Sequence, residues 1–479
     1  MNMLQKVAKR GKGERTWKLE GKRLSRDPRF ARLIDSVRVH CPSFRAREGA
    51  NVVHALGVLQ ADIGALSVDG ELAAQLTELV ERVARTMKPQ EVANSLNGLS
   101  KIEAAAAVVT PLGWAGLAEA AGRTAREMKP QEIANTLNAL GKLKAAALVV
   151  SASGWAGPAE AVGRTASKMN QRDVANTLNA LGKLEVAAAA VSPSGWAGLA
   201  EAAERTAREM NPQDTANTLN ALSKLEVAAV AMSPSGWAGM AEAARRTARE
   251  MNEQEIAITL NALGKLEVAA VAVSPSGWAG LATAAGRTAC EMNPQNIANT
   301  LNALGKLEAA AVAVSPSMWA GLAEAVGRTA SDMNPQGVAN TLTALGKLEA
   351  AAVVVSPSGW AGLAEAVGST AREMNPQEIA ITLNALGKLE VAAVAVSPSG
   401  RTAAGRTACE MNPQNVANTL DALGALPAAV AEVSPSAWKH LAAAAEREAS
   451  NMRSDERQAT LRGCEKLNLK IPSAFLDTD

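Results

Sequence analysis

NPQNIANTLNALGKLE, residues 293–308, is the stretch that decides the fold. Asn293 is a preferred helix N-cap, and Pro294 suits the first helical position, where a missing N–H costs nothing. Successive residues on a helix are about 100° apart, which gathers Ile297, Ala298, Leu301 and Leu304 on one side. Gln295, Asn299, Asn302 and Lys306 form a column on the opposite side, bordered by Asn296 and Thr300. Gly305 marks the helix end. The stretch reads as a capped amphipathic helix with one stripe for a core and one face for display.

The same helix recurs as NPQDTANTLNALSKLE from Asn211 and NPQNVANTLDALGALP from Asn412. Trp114, Trp155, Trp196, Trp237, Trp278, Trp319 and Trp360 are each 41 residues apart. The methionines Met87, Met128, Met169, Met210, Met251, Met292, Met333 and Met374 keep the same step. One unit shortens to 37 residues, where SPSGRTAAGRTA replaces SPSGWAGLAEAVGRTA before Met411. FRAREGANVVHALGVL from Phe44 and MRSDERQATLRGCEKL from Met452 are degraded copies. Atypical ends are expected where outer faces meet water. The expected organisation is a basic arm over 1–40, repeats over 41–450, and a C-terminal cap and tail over 451–479.

Each unit reads as two helices. The first opens at SPSGW, with Ser and Pro as cap and first-turn residues. In the unit at 192–210, Trp196, Leu199, Ala203 and Ala207 make one apolar face. Glu201–Arg205 and Glu204–Arg208 stand at i,i+4 on the other, in the order that favours pairing. The link VAAVAV, residues 268–273, is apolar enough to need partners on several sides and is expected to be buried, as a short helix or an extended strap. The fold class is therefore all-α, a right-handed α-solenoid of helical hairpins.

Stacked units set the polar columns side by side. The columns are Gln131, Glu132, Asn135, Asn138 and Lys142, then Gln213, Asp214, Asn217, Asn220 and Lys224. Further on come Gln295, Asn296, Asn299, Asn302 and Lys306, then Gln336, Gly337, Asn340, Thr343 and Lys347. Amides donate and accept at base edges, and lysine meets phosphate. The residue after Pro-Gln varies most, through Glu132, Asp214, Asn296 and Gly337, and is the expected readout position. The alternative is that the asparagines form a ladder tying repeat to repeat. The tryptophans share the apolar stripe and are expected in the core.

Composition narrows the rest. Tyr is absent, Phe is 3, and Trp is 9 in 479 residues, with 48% hydrophobic content, as suits an Ala/Leu-rich helical chain. Residues 1–40 hold 12 Lys+Arg against 4 Asp+Glu, a local +8, so the remainder is −6. Bulk charge therefore argues little for nucleic acid. Four scattered cysteines include Cys290 and Cys409, three repeats apart, roughly 30 Å at about 10 Å per packed helix layer, too far for a disulfide. No CxxC and only 3 His suggest no metal site and no cofactor. No apolar run nears the roughly 20 residues that cross a bilayer. No nucleophile–base set or phosphate loop stands out, so no catalysis is expected.

ANTLNALGKLE resembles the signature helix of the octotricopeptide repeat, and SPSGW is similar to that family's Pro-rich element, with Pro193 and Trp196 in register. The resemblance covers about residues 66–450 and implies an α-solenoid binding single-stranded RNA in a mitochondrion or chloroplast. There it would act in transcript stability, processing or translation. The 41-residue unit is longer than that family's, and Asn302 stands where the family has an aromatic. The Asn form is also similar to the SKWP repeats of bacterial effectors of plant pathogens, which implies a secreted effector in a host cell. A protein-interaction scaffold, its face binding a peptide or partner protein as many solenoids do, is the alternative function.

Overall fold

The structure is a computed structural model that describes residues 17–62, 64, 66–150, 152–389, 404–425 and 435–475. The beginning of the basic arm, most of the altered segment of the shortened unit, residues 426–434 and the last four residues lie outside them. The remainder of the expected arm forms the helices Trp17–Ser25 and Pro28–His40, the second with Phe30, Ile34 and Val37 buried. Every regular element among the described residues is a helix, and none is a strand. The chain forms two compact units, Met1–Ala243 and Ala244–Asp479.

The repeat has three helices where the sequence suggested two. The first, such as Pro193–Thr206, opens on Ser192, whose hydroxyl accepts from the Gly195 N–H at 3.1 Å. It tightens into a 3-10 turn at Ala207–Glu209. The second, such as Pro294–Leu304, opens on Asn293, whose Oδ1 accepts from the Asn296 N–H at 2.8 Å. Each such cap stabilises its helix by about 1 kcal/mol. The third is the apolar link, for example Glu267–Ala272 or Glu308–Val312.

That third helix corrects the expectation of burial. Val271 is 88% exposed and Val312 81%, while Ala269 and Ala310 are buried. A helix of one and a half turns has a single stripe to bury, and here an alanine fills it. The valines one or two places away turn outward, while Val273 and Val314, four places on, are buried with the alanines as first expected. Val268, Val271, Val312 and Val353 thus stand in water on successive short helices of the second unit.

Second helices pack on second helices and form one layer in each unit. In the first unit the series runs Ala46–Gly57, Pro89–Leu99, Pro130–Leu140, Gln171–Leu181 and Pro212–Leu222. In the second it runs Glu253–Leu263, Pro294–Leu304, Pro335–Leu345, Pro376–Lys388, Pro413–Ala425 and Ser454–Lys466. The core lies between this layer and the first helices. Trp114, Trp155, Trp196, Trp278, Trp319 and Trp360 are buried there, as are the methionines that end the first helices. The tryptophans are therefore core residues and not stacking platforms. Each fully buried Leu, such as Leu219 or Leu260, contributes about 1.5–3 kcal/mol.

Arg205 does not pair with Glu201 along its helix. Its guanidinium reaches back one repeat, donating to the carbonyl of Met169 at 2.9 Å. Arg164 does the same to Met128, Arg328 to Met292, and Arg447 to Met411, each at 2.9 Å. Glu204 likewise leaves its i,i+4 partner and accepts from the Ser233 N–H at 2.7 Å. These arginines staple each repeat to the one before it, through carbonyls left free where the first helix ends. Ser369 stands at the stapling position of its unit and bonds only its own helix, at the carbonyl of Ala366. Ser369→Arg is expected to add the missing staple to Ala330 and Met333. A charged hydrogen bond at this half-exposed place contributes about 1 kcal/mol, or about 2–4 °C in a unit of this size. Calorimetry of the variant checks it, and an unchanged melt means that the staple contributes nothing.

Candidate nucleic-acid interface

The polar columns lie together on the second-helix layer, in register. Asn94 donates to Asn51 at 3.3 Å, so the Asn299-type positions of neighbouring repeats meet. Arg462 donates to Asp421 at 3.2 Å, so the Asn302-type positions meet as well. The ladder reading of the asparagines holds at Asn51–Asn94. Elsewhere the amides are held side by side by the same helix packing.

Exposure sorts the expected site residues into two groups. Gln131, Gln213, Gln295 and Gln336 are exposed, as are Lys142, Lys224, Lys306 and Lys347. Asn135, Asn138, Asn217, Asn220, Asn299, Asn302 and Asn340 are half-buried, with part of each side chain open. The second group corrects the sequence reading. Asp214 and Asn296 are buried, at 4% and 6% exposure, and the Gly337 backbone is buried too. Thr343 turns its hydroxyl away from solvent, and that oxygen has no hydrogen-bond partner. None of these four displays a group that a strand lying on the face would meet.

The variable position after Pro-Gln is a capping position. The Glu132 carboxylate accepts from the Lys129 N–H at 2.9 Å, closing the helix start, and Glu255 and Glu378 do the same at 3.0 Å each. The position also faces the preceding repeat. Burial raises the Asp214 carboxyl above its ordinary value, against the lowering by its backbone bond and by Arg172, one repeat earlier. A raised carboxyl pKa means that the folded unit holds the proton more tightly than the unfolded chain. The charged form then costs stability above the folded pKa, and the cost fades as pH falls toward the ordinary 3.8. Asp214→Asn places there the residue that Asn296 provides elsewhere. It is expected to raise the melting temperature of the first unit at pH 7, with the gain gone below about pH 4. An equal gain at both pH values means that the charge is not its cause.

The lysines form a row in each unit. Lys306 has its ammonium pKa lowered by desolvation first, then by repulsion from Lys265 and Lys347. Lys183 is lowered likewise, by desolvation and then by Lys142 and Lys224. Among the described residues, none of these six is paired with a carboxylate. Lys265 stands with Lys306 and Lys347, as the repeat step implies, and Lys183 completes the other row. Lys183 was not among the expected residues, nor was Arg172, which replaces the column's glutamine in its repeat and is exposed. Strict 41-residue counting finds both.

Among the described residues no cluster of three metal-ligating side chains forms, and no helix is long and apolar enough to cross a membrane. Cys41, Cys290, Cys409 and Cys464 are all free thiols.

Helices stacked repeat upon repeat around a core in each unit, with a polar face on the second-helix layer, define a tandem helical-repeat protein. More particularly, nine of its segments match the repeat family described as "Protein of unknown function (DUF1601)": residues 70–96, 117–137, 159–178, 198–219, 240–260, 271–301, 321–342, 362–383 and 391–420. Each segment between 117 and 383 joins the first or third helix to the second, so the family's repeat is the unit described above. No curated protein matches the chain. Among solved structures, a chain of the "Homology model of the full-length AP-3 complex in an intermediate open conformation" is similar at 11% identity and a TM-score of 0.31. The alignment covers 97% of this chain and 87% of that one, and no role is carried over from it.

Proposed function

We propose that this protein binds single-stranded RNA along the Gln/Asn/Lys face of its second helices and does no chemistry of its own. The row of unpaired lysines carries the reading. Holding like charges side by side without counter-ions is unfavourable, and a polyanion laid along the row removes the cost. The exposed glutamines and half-open asparagines of the same columns offer donors and acceptors to unpaired bases. Helical repeats that read RNA take roughly one base per repeat. The resemblance of ANTLNALGKLE to the octotricopeptide repeat adds support, and with it we assign the activity to transcript stability, processing or translation in a mitochondrion or chloroplast.

A second reading, a protein-interaction scaffold, is favoured by the exposed valines of the third helices, since soluble proteins seldom leave apolar rows open. One measurement separates the two. Binding of a random 12-nucleotide RNA is expected at 50 mM salt, weakening by an order of magnitude or more at 200 mM, and persisting when residues 1–16, which precede the first described helix, are removed. Absence of binding at 50 mM salt removes the RNA reading and leaves the scaffold. Binding that disappears with residues 1–16 assigns the RNA contact to the arm and not to the face.

A further inference from the structure

The third position of the second helix is Asp214, Glu255, Asn296, Glu378 or Asn415 in other repeats, and Gly337 in the helix Pro335–Leu345. A side chain there lies in the seam against the preceding repeat. Arg172 acts on Asp214 across that seam, and Asp214, Asn296 and Asn415 are buried in it. Gly337 leaves the seam unfilled. A cleft of about 320 Å³ opens there, lined by Gln295, Ala298, Asn299, Gln336, Gly337 and Asn340, with Asp332 also on its wall. That volume is at the lower end of small-ligand sites, roughly 300–1,000 Å³.

Six of the lining side chains are amides, each able to donate and to accept; Asn293 and Asn334 use their Oδ1 as helix caps, which leaves four. Among the described residues, none of Gln295, Asn299, Gln336 and Asn340 spends a side-chain hydrogen bond within the chain. The Asn51–Asn94 pair shows that the same column can bond internally. Asp332 disfavours an anion inside. An uncharged planar group with donors and acceptors on its edge suits the lining. Lys306 and Lys347, at the other end of the same two columns, are placed for the charged part of such a ligand.

We propose that the cleft at Gly337 receives one unstacked nucleobase of the bound strand and reads its hydrogen-bonding edge with these amides. The proposal rests on the RNA-binding reading and adds to it a position of selectivity that the filled seams lack. The strand's backbone continues over the exposed glutamines, with phosphate toward the lysines.

Gly337→Asn tests it, because asparagine is what two other repeats hold at this place. The Gly337 N–H already bonds Asn334 Oδ1 at 2.8 Å, as the Asn296 N–H bonds Asn293 Oδ1 at 2.8 Å. A β-carbon at Gly337 finds Asn334 Oδ1 at 3.2 Å, a contact relieved by a few tenths of an ångström. The variant is therefore expected to fold, with a melting temperature equal to or above the parent's. The readout is base enrichment at each position of 12-nucleotide RNAs selected from a random pool. The parent is expected to enrich a base at one position, and Gly337→Asn to lose about tenfold of that enrichment at that position alone. A Gln336→Ala, Asn340→Ala double variant, which leaves the cleft open, is expected to lose the same preference. Unchanged enrichment in both variants overturns the cleft and leaves RNA binding standing. A parent that binds RNA with no preference anywhere overturns it equally. A parent that retains no RNA at 50 mM salt overturns the RNA-binding reading itself, and the cleft proposal with it.

Discussion

Replacing Lys265, Lys306 and Lys347 together with Gln is expected to weaken RNA binding at least tenfold while leaving the melting temperature of the second unit nearly unchanged. The three ammonium groups stand in one row, exposed, with no carboxylate among the described residues to hold them. For a single strand, each lost phosphate contact removes about 0.7 from the slope of log K against log salt, so the triple variant should lose about 2. The stability side follows from the same geometry. Removing three mutually repelling charges from the surface costs nothing in packing, and exposed substitutions of this kind stay within about 0.5 kcal/mol each. The measurements are a salt titration of binding and a thermal melt, on the same preparation. A collapse in stability would show that the lysines cap the ends of their helices structurally. Unchanged affinity and slope would remove the face as the RNA site.

Gly98→Ala is expected to destabilise the first unit by about 1–3 kcal/mol, although helix propensity alone predicts a gain of about 1 kcal/mol. A β-carbon on Gly98 would lie 2.5 Å from the carbonyl oxygen of Val53 and 2.6 Å from its carbon. Both atoms are backbone, in the packed helix Ala46–Gly57, so the helices must separate to admit a methyl group. Interior repeats carry alanine at the matching place, for example Ala139, Ala180 and Ala303, with ordinary packing. The other end of the array repeats the device, since a β-carbon on Gly463 would lie 2.5 Å from the Leu420 carbonyl carbon. The terminal helices therefore sit closer to their neighbours than the inner ones do. A melt of Gly98→Ala beside Ala139→Gly checks the argument. Both are expected to lower the melting temperature, the first by overpacking and the second by a cavity and a flexible backbone. A rise for Gly98→Ala would mean that propensity outweighs the contact.

Much of the repeat was legible because its chemistry is local. Asn293 before Pro294, and Ser192 before Pro193, announce helix starts through bonds that span two or three residues. The stripe of Ile297, Leu301 and Leu304 announces the buried side of a helix, and the 41-residue step announces stacking. The exposed part of the display face followed from the same angular counting, so Gln295 and Lys306 lie where the sequence put them.

What the sequence determined by itself was therefore the helices, their caps, their buried stripes and the fact that they stack. Tertiary structure decided how much of each side chain the neighbouring repeat covers. Asn296 and Asn302 are both polar residues near one column, yet the first is buried in a seam and the second stays half open. Helical angle alone cannot separate them, because the covering surface comes from another turn of the array. The arginine staples were hidden for a related reason. Their partners are carbonyls 36 and 39 residues earlier, and a backbone carbonyl has no letter in the sequence. The apolar links misled in the opposite sense: valine codes for burial only where something covers it. In a helix of five or six residues one small alanine meets the neighbouring helix, and the valines beside it are left facing outward.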